Sequence, residues 1–320
     1  MAISAPVRAM DDAAIEDAAG IIRGGGLVAF ATETVYGLGG DATNGEAVAR
    51  IFAAKARPSF NPLISHIADL AQLPAIAKMD ARAEKLSETF WPGPLTMVLN
   101  KSADCPIADL TTAGLDSVAV RIPGRARARQ FLAACGVPVA APSANASGAV
   151  SPTLAQHVAA SLPGPDGGGP QLILDDGPCD VGLESTVIDL TTDTVALLRP
   201  GGISKEDIER IIGPVVIAGS DDHAPKSPGM LSRHYAPRAR LRMNAQTAEA
   251  GETYVGFGQT GADAAMNLSP AGDLTEAAAN LFQMLHALDE GGAEAIAVAP
   301  IPDTGLGLAI NDRLRRAVRS

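Results

Sequence analysis

Ser185-Thr186-Val187-Ile188-Asp189-Leu190 and Thr194-Val195-Ala196-Leu197-Leu198 read as two strands with only Thr191-Thr192-Asp193 between them. Three residues leave no room for a crossover helix, so the sheet these strands join is not purely parallel. Upstream, strand and helix patterns alternate. Strands are expected at 27–30, 63–67, 95–99, 117–122, 138–141 and 172–174. Asp11 or Asp12 caps a first helix with Ile15, Ala18, Ala19 and Ile22 on one face, stopped by Gly24-Gly25-Gly26. Asn44 caps a second, with Val48, Ile51 and Phe52 on one side and Pro58 at its end. Further helices are expected near 80–90, 126–135, 153–162 and 205–212. Alternation that gives way to consecutive strands predicts an α/β fold, a twisted open mixed sheet carrying helices.

That unit is expected over residues 1–212. The regular pattern fails over 213–238, which reads as a linker or lid: Ser220-Asp221-Asp222 leads into a proline-punctuated stretch with no periodicity. Residues 239–320 then predict a smaller, Rossmann-like α/β domain, with strands at 253–257 and 295–301 and helices at 274–288 and 308–318.

The length of 320 residues suits two domains, and 47% apolar against 19% charged residues is enough for a full core. Aromatics are only 3%, which counts against stacking platforms for single-stranded nucleic acid. A net charge of −11 argues against a surface that grips DNA or RNA as a whole. The three cysteines show no metal-ligand spacing, the start of the chain carries no charged-then-apolar leader, and no apolar run approaches a membrane helix. A reduced cytoplasmic chain is expected, with no membrane contact.

Positive charge collects where acids are missing. No Asp or Glu falls between Ser117 and Pro165, yet Arg121, Arg125, Arg127 and Arg129 do; 47–68 also lacks acids and holds Arg50, Lys55 and Arg57. Arg125, Arg127 and Arg129 read as an ordinary solvated helix face. Arg121 differs, because it ends the apolar strand Val118-Ala119-Val120, where ligands bind in open α/β sheets. Loops rich in hydroxyls and glycine flank the strands: Thr32-Glu33-Thr34-Val35-Tyr36-Gly37-Leu38-Gly39-Gly40, Ala141-Pro142-Ser143-Ala144-Asn145, Glu184-Ser185-Thr186 and Arg199-Pro200-Gly201-Gly202. Together with Lys55 and Arg57 they predict an ATP-sized anion site. No P-loop occurs, and Gly256-Phe257-Gly258-Gln259-Thr260-Gly261 lacks the following helix a dinucleotide fold requires, so it reads as a turn. There is no nucleophile elbow and no paired histidine motif. His66 alternates with apolar neighbours and, by pattern alone, reads as a core histidine.

Taken in order, Thr32–Gly39, Lys55-Ala56-Arg57-Pro58 with Asn61-Pro62-Leu63 and His66, Trp91-Pro92-Gly93-Pro94-Leu95-Thr96 and Val118-Ala119-Val120-Arg121 resemble the YrdC-like family. So do Ala141–Asn145, Ser151-Pro152-Thr153, Ser185-Thr186-Val187-Ile188-Asp189 and Leu198-Arg199-Pro200-Gly201. Ser227-Pro228-Gly229-Met230, His234-Tyr235-Ala236-Pro237 and Ala309-Ile310-Asn311-Asp312-Arg313-Leu314 resemble its long two-domain form. Ala31 stands where the family usually has proline, Ser117 where it often has threonine, and Gly124-Arg125 where it often has a Pro-His type of sequence.

The resemblance implies an L-threonylcarbamoyladenylate synthase, making threonylcarbamoyl-AMP and pyrophosphate from L-threonine, bicarbonate and ATP. It implies Mg²⁺ with the ATP, and a downstream tRNA threonylcarbamoyl-transfer machinery that builds N6-threonylcarbamoyladenosine at position 37. It also implies an amino-acid pocket of Thr32, His66, Arg121, Ala141 and Ser185, with Arg121 clamping the threonine carboxylate bidentately. Lys55, Arg57, Ser59, Ser117, Ser143, Asn145, Ser151, Arg199 and Tyr235 would serve ATP. No metal-binding side chains are implied, and residues 239–320 would supply no chemistry of their own. Two rivals share the fold: a carbamoyltransfer module, whose usual acylphosphatase-like segment and zinc fingers are missing here, and an RNA-binding protein, which the net charge disfavours.

Overall fold

The computed structural model describes residues 4–219, 234–260, 264 and 266–318. The larger unit is one mixed sheet with strands β1 (Val7–Ala9), β2 (Val28–Phe30), β3 (Gly37–Asp41), β4 (Ile64–His66), β5 (Leu95–Asn100) and β6 (Ser117–Arg121). It continues with β7 (Val139–Ala140), β8 (Leu172–Asp175), β9 (Thr186–Asp189), β10 (Ala196–Arg199) and β11 (Val216–Ile217). Their spatial order is β1-β8-β2-β3-β7-β4-β6-β5-β9-β10-β11. Strands β9 and β10 pair antiparallel, with Leu197 opposite Ile188.

Six helices cover this sheet: α1 (Asp12–Arg23), α2 (Gly45–Lys55), α3 (Ala81–Phe90), α4 (Ala126–Cys135), α5 (Ala155–Ser161) and α6 (Lys205–Ile212). Asp11 caps α1 by accepting from Ala14 N at 2.8 Å, and Asn44 caps α2 by accepting from Glu46 N at 2.9 Å. The buried stripe of α1, Ile15, Ala18, Ala19 and Ile22, packs with Phe30, Phe131 and Leu132 in one cluster. Leu38, Ile51, Leu63, Leu86, Met97 and Val120 belong to a second.

The sequence reading needs four corrections. Gly37-Leu38-Gly39-Gly40 is strand rather than loop, pairing antiparallel with β2 and β7. Glycine is a poor strand former, but these positions have no space for more: a Cβ on Gly39 would stand 3.0 Å from Val139 Cγ1, and one on Gly40 would stand 3.1 Å from Ile51 Cδ1. Val7–Ala9 was missed because an edge strand with one partner needs little apolar sequence. The stretch read as linker begins inside the first sheet, since Val216–Ile217 pairs with β10; most of the remainder, 220–233, lies outside the described residues. Arg125 is not on a solvated face: it donates to Asp176 O at 2.8 Å and pairs with Asp180 at 3.1 Å.

The smaller unit has four parallel strands, β12 (Arg240–Arg242), β13 (Thr253–Gly256), β14 (Met266–Asn267) and β15 (Ala295–Val298), in the order β12-β15-β13-β14. Helices α7 (Leu274–Glu290) and α8 (Leu306–Val318) pack its apolar faces. Phe257 and Thr260 exchange backbone hydrogen bonds at 3.0 and 3.2 Å, which closes the glycine motif as a turn.

Candidate active site

Side chains alternate between faces along a strand, so residues two apart share one. Ile64, Val98, Ala119 and Val187, from the adjacent strands β4, β5, β6 and β9, form one apolar cluster on a single face. Two residues along each strand, towards the same end of the sheet, stand His66, Thr96, Arg121 and Ser185. The register brings them side by side: His66 pairs with Arg121, and the antiparallel Met97–Val120 match places Thr96 next to Arg121. Thr96 Oγ1 and Ser185 Oγ are 2.7 Å apart. A row of polar groups therefore continues an apolar floor at the carboxyl ends of β4 and β6.

Two neighbouring segments close over this row. The loop after β2 brings Thr32, whose Oγ1 donates to Val35 O at 2.7 Å and lies 2.8 Å from Thr34 Oγ1. A bulge after Leu197 sets Arg199 opposite Val187, and its guanidinium donates to Ser185 O at 2.8 and 3.1 Å and to Ser185 Oγ at 3.1 Å. The resulting cavity encloses about 560 Å³ including its open mouth. Tyr235 and His234 form part of its lining.

The wall carries three guanidinium groups, Arg57, Arg121 and Arg199, against one carboxylate, Glu184. All four are buried. In a chain of net charge −11 that is a local reversal of sign, made stronger by the dry surroundings. Arg121 is held from three sides: Nη2 donates to Glu33 Oε1 at 2.6 Å, Nη1 to Thr34 Oγ1 at 2.9 Å and Nε to Gly93 O at 3.3 Å. Burial raises the Glu33 carboxyl, but Arg121 and the Gly124 N–H outweigh it and the net shift is downward. Burial, then the Arg121 charge, pushes His66 down to about 3; it stands neutral, its Nδ1 without a hydrogen-bond partner. Burial takes Arg57 down to about 10.

All five residues expected for the amino acid, Thr32, His66, Arg121, Ala141 and Ser185, line this cavity. Of those expected for ATP, Arg57, Ser143, Arg199 and Tyr235 line it as well. Lys55, Asn145 and Ser151 are buried but do not line it. Lys55 Nζ donates to Ser143 O at 2.6 Å and to Asn145 O, so it braces the loop; burial, then Arg57, holds the amine well below its usual range. Ser59 is exposed and Ser117 sits at the opposite end of β6 from Arg121, both away from the wall.

Sequence reasoning missed the groups that hold these residues in place. Glu33 is one. Glu184 is another, accepting from Ser151 Oγ and pairing with Arg313 Nε of α8 at 2.8 Å. The small unit nonetheless reaches the back of the site, because Arg313 of α8 pairs with Glu184, which lines the cavity. Its signal was available: Arg313 falls on the apolar stripe of Ala309, Ile310 and Ala317, where a solvated arginine does not belong.

Among the described residues, no set of three His, Cys, Asp or Glu side chains could hold a metal, and no helix is long and apolar enough to cross a membrane.

Comparison with known proteins agrees along the whole chain. Residues 20–201 match the Sua5/YciO/YrdC model, described as telomere recombination, and 203–318 match the threonylcarbamoyl-AMP synthase C-terminal domain. The threonylcarbamoyl-AMP synthase of Pyrococcus abyssi is 45% identical, over 95% of this chain and 93% of that protein. That of Bacillus subtilis is 42% identical, over 96% and 93%. The crystal structure of P. abyssi Sua5 complexed with L-threonine superposes with a TM-score of 0.88 at 42% identity, covering 100% of this chain and 98% of that one. The chain belongs to the Sua5/YciO/YrdC family, in its two-domain form.

Proposed function

We propose that this chain is a threonylcarbamoyl-AMP synthase. Its substrates are L-threonine, bicarbonate and ATP, and its products are threonylcarbamoyl-AMP, pyrophosphate and water. The threonine amine takes up the carbon of bicarbonate with loss of water. A carbamate oxygen then attacks the α-phosphorus of ATP, and the bond to the bridging oxygen breaks to release pyrophosphate. Every reactant carries an anionic group, and among the described residues no hydroxyl on the wall hydrogen-bonds a histidine or carboxylate that would make it a nucleophile. The protein's work is positioning and charge neutralisation.

The observation that carries this proposal is the convergence of Arg57, Arg121 and Arg199, all buried, on one cavity beside neutral His66. Arg121 serves the threonine carboxylate. Glu33, Thr34 and Gly93 take three of its five N–H donors, which leaves one on each terminal nitrogen for a second carboxylate. His66, Thr32 and Ser185 surround the amino acid's side chain and amine. Arg199 and Arg57 meet the phosphates, and Lys55 fixes the Ser143–Asn145 loop against them. Mg²⁺ would come with ATP and offset its phosphate charge, and neither Glu33 nor Glu184 would be free to hold it, since each is engaged by an arginine.

The product is a mixed carbamic–phosphoric anhydride, and the consumer is a tRNA threonylcarbamoyl-transfer machinery in the cytoplasm. The experiment is pyrophosphate release from ATP with threonine and bicarbonate each omitted in turn. Release that needs both supports the proposal, and release indifferent to either contradicts it.

A further inference from the structure

Arg313 is 1% exposed, on a unit that does not line the cavity. Its Nε donates to Glu184 Oε2 at 2.8 Å, its Nη1 pairs with Asp312 Oδ2 at 2.8 Å, and its Nη2 has no hydrogen-bond partner among the described residues. Its guanidinium carbon stands 4.9 Å from the centre of the Tyr235 ring. A buried ion pair with a donor unspent stabilises a fold less than apolar side chains of the same size would, so the stability of the small unit does not account for it. What it touches does. Glu184 lines the cavity and accepts from Ser151 Oγ, and Tyr235 lines it too.

Tyr235 needs holding. Its φ is +66°, a backbone conformation that bulky residues rarely adopt. Its ring is packed by Arg313 on α8 and by Phe282 on α7, the latter stacked at 5.7 Å. The neighbouring His234 N–H donates to Arg316 O at 3.4 Å.

We propose that Arg313 is the positioning residue through which the C-terminal unit shapes the nucleotide side of the cleft, fixing Glu184 and with it Ser151, and holding Tyr235 over the cavity. This rests on the synthase proposal, which puts Ser151 and Tyr235 on the ATP side. Arg313 acts through these neighbours and touches no reacting atom. The small unit thereby becomes part of the wall rather than an appendage. Arginine suits the role because one planar cation can bond a carboxylate edge-on and cover an aromatic ring.

The test compares the full-length chain with Arg313→Met, Arg313→Lys, Glu184→Gln and Arg313→Met/Glu184→Gln. Calorimetric titration with ATP alone measures binding, and pyrophosphate release gives KM and kcat. For Arg313→Met the expected result is about tenfold weaker ATP binding and a matching rise in the ATP KM, with the threonine KM within about twofold of the parent. Arg313→Lys, which keeps the charge and preserves the fold if methionine does not, falls between. Because both residues act through one link, the double variant binds ATP no worse than the weaker single variant.

Three results would overturn the inference: unchanged ATP binding in folded Arg313→Met and Arg313→Lys, equal losses for ATP and threonine, or single effects that multiply in the double variant. A parent protein that binds ATP but releases no threonine-dependent pyrophosphate would instead remove the synthase proposal. The ATP titrations would still judge Arg313.

Discussion

Removing the Arg121 side chain should separate stability from binding. The Arg121–Glu33 pair is buried, with side-chain exposures of 4% and 11% and a separation of 2.6 Å. Arg121→Met therefore strands the Glu33 carboxylate, whose Oε2 already has no hydrogen-bond partner among the described residues. Breaking a buried pair from one side costs about 3–5 kcal/mol, mostly from the charge left behind. Glu33→Gln in the same chain removes that charge, so Arg121→Met/Glu33→Gln should recover about half of the loss or more. Threonine binding should not recover with it, because the cation that meets the substrate carboxylate is gone in both variants. Arg121→Lys keeps a charge but cannot reach Glu33, Thr34 and Gly93 together, so it should weaken threonine binding far more than ATP binding. Urea unfolding gives the stabilities, and calorimetric titration gives the affinities. If Arg121→Met lost less than about 1 kcal/mol, or if the double variant bound threonine like the parent, the assignment of Arg121 would be wrong.

Three further outcomes follow from the geometry. Serine should be a poor but detectable substrate, since a pocket methyl is worth roughly 1–3 kcal/mol, whereas valine should be rejected more strongly because Thr32 and Ser185 would face a methyl; equal turnover of valine and threonine would exclude a polar pocket. Truncation after Ala239 keeps Tyr235 but deletes Phe282 and Arg313, which pack its ring, so it should restore no activity over truncation after Pro214; full activity in either fragment would contradict the role given to the small unit. Burial and then the stacked His286 push His157 down to about 4, below the unfolded value near 6.5. The unfolded chain binds the extra proton, so this contribution is intact above pH 6.5 and is lost as pH falls towards 4. Thermal unfolding across that window should show a falling midpoint, with a shallower fall in His157→Asn.

Much of the site can be read in the sequence because it rests on local rules. Arg121 ends an apolar strand, and alternation alone puts it on the face of Ala119, so the strand reading nearly suffices to place it. Ser117 fails by the same rule. It belongs to the same strand but starts it, four residues away, or roughly 13 Å at the strand rise. Gly39 and Gly40 mislead because their lack of side chains serves close packing against Val139 and Ile51 rather than an approaching phosphate, whereas Gly37 does line the cavity. The pairing of Glu184 with Arg313 was out of reach for another reason. They lie 129 positions apart on different units, and only the fold brings them together. The sequence offers a basic residue on an apolar stripe but not the identity of its partner.

The most direct test of the synthase proposal is to follow the carbon. The protein is incubated with ATP, Mg²⁺, L-threonine and ¹³C-bicarbonate, and the nucleotide products are resolved by mass spectrometry. The proposal predicts threonylcarbamoyl-AMP carrying the label in its carbamoyl carbon, formed in equal amount to pyrophosphate and lost when Arg121 or Arg199 is replaced. AMP and pyrophosphate without a labelled adduct, under conditions where added threonylcarbamoyl-AMP survives, would contradict it.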